Sequence, residues 1–249
     1  MSWIRYGLFA VFVYLVALAV TVPAARVYDW LGPVEGVQLG ELTGTVWRGE
    51  AQVALPQGER LDRLSWQFRP SGLLGGQAVF DLSARHAAGQ ATLAAGIGLD
   101  GSVVLRDVSL DLDAAAPVVT RLTGFDWRGR VTGGFSRVHI QEGRVVSARG
   151  RVMWQDAGVV LADVVPIGQL MADVGENEGR LAIRLSDTGG PLAVNGNLLR
   201  DQPGRLQADI KLAPRANASP VLRDSLSLLG RTERDGSIHL RGPARAPFL

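Results

Sequence analysis

The feature that most restricts this chain is a two-residue alternation of apolar and polar side chains that returns along most of its length. Leu64, Trp66 and Phe68 alternate with Ser65, Gln67 and Arg69, and Val108, Leu110 and Leu112 with Asp107, Ser109, Asp111 and Asp113. The same pattern runs through Arg180–Ser186, Arg205–Leu212 and Ser237–Arg241. Successive side chains of a strand point to opposite faces, so each segment predicts a strand with one apolar and one wet face. Antiparallel sheets covered on one side read this way, whereas parallel sheets need continuous apolar runs and crossover helices. Asp100-Gly101, Glu142-Gly143, Glu178-Gly179, Asn195-Gly196 and Asp235-Gly236 supply residues for hairpin turns. The expected fold is mainly β, an antiparallel sheet with a few short helices, preceded by one N-terminal transmembrane helix.

Three helical segments are expected. Ser219 is placed to cap a helix with Pro220 at its first position and Gly230 past its end, with Leu222, Leu226 and Leu229 on one face. Shorter helical turns are expected from Pro166 to Val174, with Leu170 and Met171 inward, and from Pro117 to Leu122.

The N-terminus obeys a different rule. No charge falls between Arg5 and Arg26, and the 20-residue run Tyr6–Ala25 would span roughly 30 Å as a helix, the thickness of a bilayer core. Tyr6, Leu8, Phe9, Val11, Phe12, Leu15, Leu18 and Val20 are the candidate membrane-facing residues. Trp3 and Tyr6 at one end and Tyr28 and Trp30 at the other suit the headgroup layers. A retained signal anchor ranks first. A cleaved signal peptide, with Val22 and Ala24 at the small-residue positions, ranks second, and a buried core helix third. The expected layout is a cytoplasmic tail (1–5), an anchor (6–25) and one periplasmic β-rich domain (26–249). That places the chain in a bacterial inner membrane as a single-pass protein. Gly44–Gly49 (GTVWRG) and Gly124–Gly129 (GFDWRG) echo each other. Two readings compete: one continuous sheet of two similar β units, about 34–120 and 121–249, or a chance likeness in a Gly- and Arg-rich chain.

Composition narrows the chemistry. Without cysteine there is no disulfide framework, Cys-ligated metal or thiol nucleophile. A net charge of +2 gives no global reason to expect nucleic acid. His86, His139 and His239 are isolated in sequence and read as solvent-facing strand residues, and no nucleophile elbow or phosphate-binding loop occurs. Asp107, Asp111 and Asp113 read as a solvated strand face rather than a calcium site. Arg144, Arg149 and Arg151, near Glu142 and Asp156, read as members of cross-strand pairs. Trp47, Trp66, Trp127 and Trp154 are expected within strands, packed in the core. No catalytic, cofactor or metal residue is assigned.

Four local patterns, in order and spacing, resemble protein N of the bacterial type II secretion system. They are the anchor followed by Gly44–Gly49, the Trp66–Gly76 stretch (WQFRPSGLLGG), the Gly150–Ala157 stretch (GRVMWQDA), and Pro214-Arg215 with the leucine-rich helix and Asp235-Gly236. Gly44, Trp47, Gly49, Trp66, Pro70, Leu74, Gly150 and Trp154 carry the motifs and are read as structural. The resemblance implies a non-catalytic inner-membrane accessory component of the machine that exports folded periplasmic proteins. Its partners would be the inner membrane and other secretion components. The chain is also similar to AsmA-like envelope proteins, which implies an elongated, curved sheet. The alternative function is binding of a lipid or acyl chain in an apolar groove of that sheet. A periplasmic hydrolase is kept as a third, minor reading.

Overall fold

The computed structural model of the protein describes residues 21–32, 38–54, 60–116, 120, 124, 126–161, 163–202, 205–230 and 232–245. The alternation is realised as thirteen strands. They are β1 (Gln38–Gly44), β2 (Arg48–Ala54), β3 (Arg60–Arg69), β4 (Gln77–His86), β5 (Gly89–Gly98), β6 (Val103–Asp113), β7 (Asp126–Gln141), β8 (Arg144–Val160), β9 (Val164–Asn177), β10 (Arg180–Gly189), β11 (Leu192–Gln202), β12 (Arg205–Pro214) and β13 (Ile238–Arg245). Two α-helices, α1 (Ala24–Leu31) and α2 (Pro220–Leu229), and a 3-10 helix (Pro70–Gly75) complete the described elements. All strands belong to one sheet whose spatial order is the chain order, β1 to β13. Every neighbouring pair is antiparallel.

Local chemistry sets the returns. Glu142-Gly143 and Glu178-Gly179 both have positive φ at each residue (51° and 73° in both), the type I′ geometry whose twist matches the flanking strands. Where the apolar phase slips, an extra residue absorbs it. In β6 the apolar positions are Val103 and Leu105, then Val108, Leu110 and Leu112. Asp107 takes the additional place at φ 50°, and β6 bulges there against β5. β7 slips at the matching level against β8, between Phe135 and Arg137, so β6 and β7 stay in register with each other. The two strands shift phase together and the apolar face is kept.

The packed core lies toward the C-terminal end. Ala157, Val165, Ile167, Leu192, Val194, Ala218, Leu222, Leu226 and Ile238 are buried against one another, with Trp127, Trp154, Leu170 and Ile210 around them. Ser219 caps α2 as its sequence requires, its Oγ accepting from the Leu222 amide at 3.2 Å, and Pro220 opens the first turn. Burying Leu222 and Leu226 contributes about 2 kcal/mol each.

Two sequence expectations are corrected. Pro166–Val174 is not helical but part of β9. Val165 and Ile167 are both buried and fall on one side at period two, and Pro166 sits at an irregularity of the β8–β9 register. Asn195-Gly196 is not a turn but the middle of β11, where Gly196 continues the apolar phase of Leu192, Val194 and Leu198. The expected helix at Pro117–Leu122 lies almost wholly outside the described residues, as does the run from Tyr6 to Val20. No helix among the described residues is long and apolar enough to cross a membrane.

Candidate functional site

Following the register from strand to strand shows what the alternation builds. One row reads Ala51, Leu64, Ala84, Ala91, Leu110, Gly133, Val152, Ala172, Leu185, Gly196, Ile210 and Leu240, one residue from each of β2 to β13. Every member is apolar or glycine over a path of about 50 Å. The adjacent row reads Glu50, Ser65, Ser83, Thr92, Ser109, Gly134, Arg151, Asp173, Arg184, Asn197, Asp209 and Arg241. Partners in register project to the same side, so the sheet has one continuous oily face and one continuous wet face.

The oily face is closed unevenly. At the C-terminal end α2 lies against β9 and β13. The sheet curls there. Residues of β8 and β10, and of β9 and β11, have Cα atoms within 8 Å, whereas strands two apart in a flat sheet stand about 9.6 Å apart. Arg200, on the apolar phase of β11, reaches across this curl and donates to the carbonyls of Val145 (2.5 Å) and Val146 (2.6 Å) at the start of β8. Charge-assisted bonds of this kind are the stronger ones. Leu181 and Leu206 are buried on the same phase. Between β3 and β7 the corresponding side chains Leu64, Leu82, Leu93, Leu105, Leu110 and Val131 are only half-buried.

The motif residues fall into two aromatic corners. In the first, Trp47 stands in the β1–β2 turn rather than within a strand, its ring 4.8 Å from Phe68, which lies 5.2 Å from Phe80. Trp66 donates from Nε1 to the Thr45 carbonyl at 3.1 Å, and its ring covers Gly49, where a Cβ would overlap the indole. Gly44 pairs with Gly49 across this corner. In the second, Trp127 and Trp154 meet edge to face at 5.2 Å, and Trp154 Nε1 donates to the Arg128 carbonyl at 2.9 Å. Gly150 lies opposite Phe135, whose ring occupies the space a Cβ would need. Each corner thus places the Trp-Arg-Gly segment beside an indole, which bonds the Thr45 carbonyl just ahead of the segment in the first corner and the Arg128 carbonyl within it in the second. All four tryptophans are half-buried rather than enclosed. Pro70 opens the 3-10 helix, and Leu74 is 94% exposed.

The wet face differs along its length. Over β2–β5 it forms a shallow depression of about 620 Å³ lined by Glu50, Ser65, Gln67, Asp81, Ser83 and Thr92 among others. Over β8–β13 it is charged. Arg151, expected in a cross-strand pair, forms one with its register partner Asp173 of β9 at 2.6 Å. Asp111 accepts from Arg130 at 3.1 Å, and Asp113 accepts from the Ala115 amide, so the three aspartates of β6 do not act together. The described residues hold no cluster of three potential metal ligands.

Bonds to neighbours set the protonation of this face. Asp209 is held below the usual carboxylate range by the hydrogen bond from His239 (2.5 Å) and by Arg241. Asp235 is pushed well below it by the Ser237 hydroxyl and amide and by Lys211, whose own pKa rises in return. Burial raises the Asp187 carboxyl, but the Val194 amide at 3.0 Å and Arg215 at 2.6 Å lower it by more. Ser237, His239 and Asp209 superficially offer a hydroxyl, an imidazole and a carboxylate. Ser237 is fully buried, however, and its hydroxyl binds Asp235 at 2.5 Å instead of the imidazole. No nucleophile–base pair results. Sequence reasoning missed Arg200 and the Asp187–Arg215 lock, because both bring together residues far apart in the chain.

Residues 35–241, from just before β1 to the middle of β13, match the family model described as "Type II secretion system (T2SS), protein N". The "Type II secretion system protein N" of Vibrio cholerae serotype O1 (strain ATCC 39315 / El Tor Inaba N16961) is 24% identical over 240 residues, covering 94% of each chain. No solved structure matches the chain.

Proposed function

Since the chain belongs to the type II secretion system protein N family, we propose that it is a non-catalytic accessory component of that system. It is held at the inner membrane by its N-terminal segment, with the sheet in the periplasm, and supports export of folded proteins by protein–protein contacts. The observation that carries this reading is the family match across essentially the whole sheet. The charged wet face of β8–β13 supplies a patterned surface for such contacts, because alternating Arg and Asp fix register against a partner better than they add affinity. Photo-crosslinkers at Arg184 or Asp209, both exposed on this face, test it in intact cells. An adduct with another secretion component is expected. Absence of any such adduct from both positions, with export unchanged when the protein is deleted, sinks the reading.

The half-buried oily face of β3–β7 favours a second reading, in which a lipid or acyl chain occupies it. Native mass spectrometry of the chain released from membranes decides it. Release with no bound lipid removes this reading and leaves the first untouched.

A further inference from the structure

The two ends of strands β3–β6 differ in character. At one end, the turn after β5 and the 3-10 helix after β3 present Leu99, Leu73 and Leu74 at 99%, 59% and 94% exposure, with Ile97 at 47%. Register brings them together, since Gln77, which follows the 3-10 helix, pairs with Gly98, which precedes Leu99. At the other end of the same strands Arg63, Arg85, Gln90, Asp111 and Arg130 line a polar depression.

The apolar end is also where the N-terminal run joins the sheet. The Val46 amide donates to the Val22 carbonyl at 3.1 Å, and Pro23 bridges to Thr45. The Phe68 amide donates to the Trp47 carbonyl, which ties that turn to the end of β3 just before Pro70. From the β1–β2 turn to the β5–β6 turn that carries Leu99 is four strand spacings, about 19 Å, and to the 3-10 helix between β3 and β4 it is two, about 10 Å. The apolar run that ends at Ala25 therefore reaches the sheet within about 20 Å of the exposed leucines. Of the other exposed large apolar side chains, Leu161 and Val164 flank a turn at the opposite end of the sheet, so one flat bilayer cannot meet both groups.

We propose that the strand ends carrying Leu73, Leu74 and Leu99 dip into the headgroup–acyl boundary of the same phospholipid bilayer that takes up the N-terminal segment. This rests on the anchoring part of the reading above. The Asp100 carboxylate beside Leu99 is no obstacle, because it turns back to accept the Ser102 hydroxyl at 2.7 Å and amide at 3.0 Å. A tether makes a shallow contact effective, since the surface is already held at high local concentration. The sheet would then stand with its strands steeply inclined to the membrane, and its polar strand ends would face away from it.

The chain contains no cysteine, so single labels are unambiguous. Leu73→Cys, Leu74→Cys, Leu99→Cys, Ala87→Cys and Leu15→Cys are made separately in the full chain. Each is labelled with an environment-sensitive fluorophore in phosphatidylethanolamine–phosphatidylglycerol nanodiscs and exposed to spin-labelled lipid or to an aqueous quencher. Lipid-borne quenching at 73, 74, 99 and 15, with 87 quenched only from water, is the expected result. Lipid quenching at 15 alone overturns the dipping and leaves the anchor standing. Water quenching at 15 as well overturns both. Protection of 73, 74 and 99 from both quenchers marks a protein contact or a second copy instead, and likewise overturns the proposal.

Discussion

The N-terminal strands β2–β7 and the C-terminal strands β8–β13 carry the same alternation but reach different states. In the C-terminal half the oily face is folded in, with α2 laid on it, Arg200 strapped across the curl, and Leu181 and Ile238 each 1% exposed. In the N-terminal half the same face stays half-open, and its fully buried apolar residues are only small ones such as Ala51, Val53 and Ala95. The wet faces diverge too. Ser65, Ser83, Thr92 and Ser109 follow one another in the first half, while Arg151, Asp173, Arg184, Asp209 and Arg241 dominate the second. Alternation thus suffices to make a sheet but does not decide what closes it. Closure depends on the few residues that reach from one strand to a distant one.

The sharpest test sets the two halves against each other. Leu226→Ala opens a cavity under α2 and is expected to cost about 2–5 kcal/mol, whereas Leu110→Ala, on the half-open face, costs about 1 kcal/mol. Chemical denaturation of both variants checks this, and equal losses would erase the distinction drawn here. Removing the strap comes next. Arg200→Ala leaves the Val145 and Val146 carbonyls without their guanidinium and is expected to lower stability by about 2 kcal/mol, with faster amide exchange at the start of β8.

Asp187→Asn removes the charge that joins β10 to the Val194 amide and to Arg215, at an expected cost of about 1–2 kcal/mol at neutral pH. The Asp187 carboxyl lies below its ordinary value in the folded chain. Its contribution is therefore complete above about pH 4 and is lost as pH falls through the lower folded value. Acid titration of stability should be shallower in the variant than in the parent. The smallest effect is expected at the exposed Arg151–Asp173 pair, where Arg151→Ala should change stability by under about 1 kcal/mol and lose even that in high salt.

Much of the fold was legible because each strand carries its own instruction. Leu64–Phe68 or Leu206–Leu212 states its faces without reference to any other segment, and Ser219-Pro220 states where α2 begins. Pro166–Val174 misled because Leu170 and Met171 next to a proline imitate a helical turn until the flanking Val165 and Ile167 show period two. Asn195-Gly196 misled because a turn dipeptide and a glycine placed for a crowded row look alike locally. The cross-strand rows, the curl and the Arg200 strap depend on register over tens of residues, which no local pattern encodes. The candidate surfaces were only partly readable for the same reason. Leu73, Leu74 and Leu99 are unremarkable as letters, and they become a patch only once Gln77 is set beside Gly98.

Among the described strands, each backbone ladder joins a strand only to its immediate predecessor and successor in the chain. Such a meander behaves as a ribbon of repeatable length. A hairpin could be spliced in or excised at any loop without rethreading the remainder, which would change the ribbon's span by about 10 Å per two strands. Relatives could then differ in how far they extend while keeping the same cross-section, and folding could spread outward from any well-formed hairpin instead of waiting for distant ends to meet.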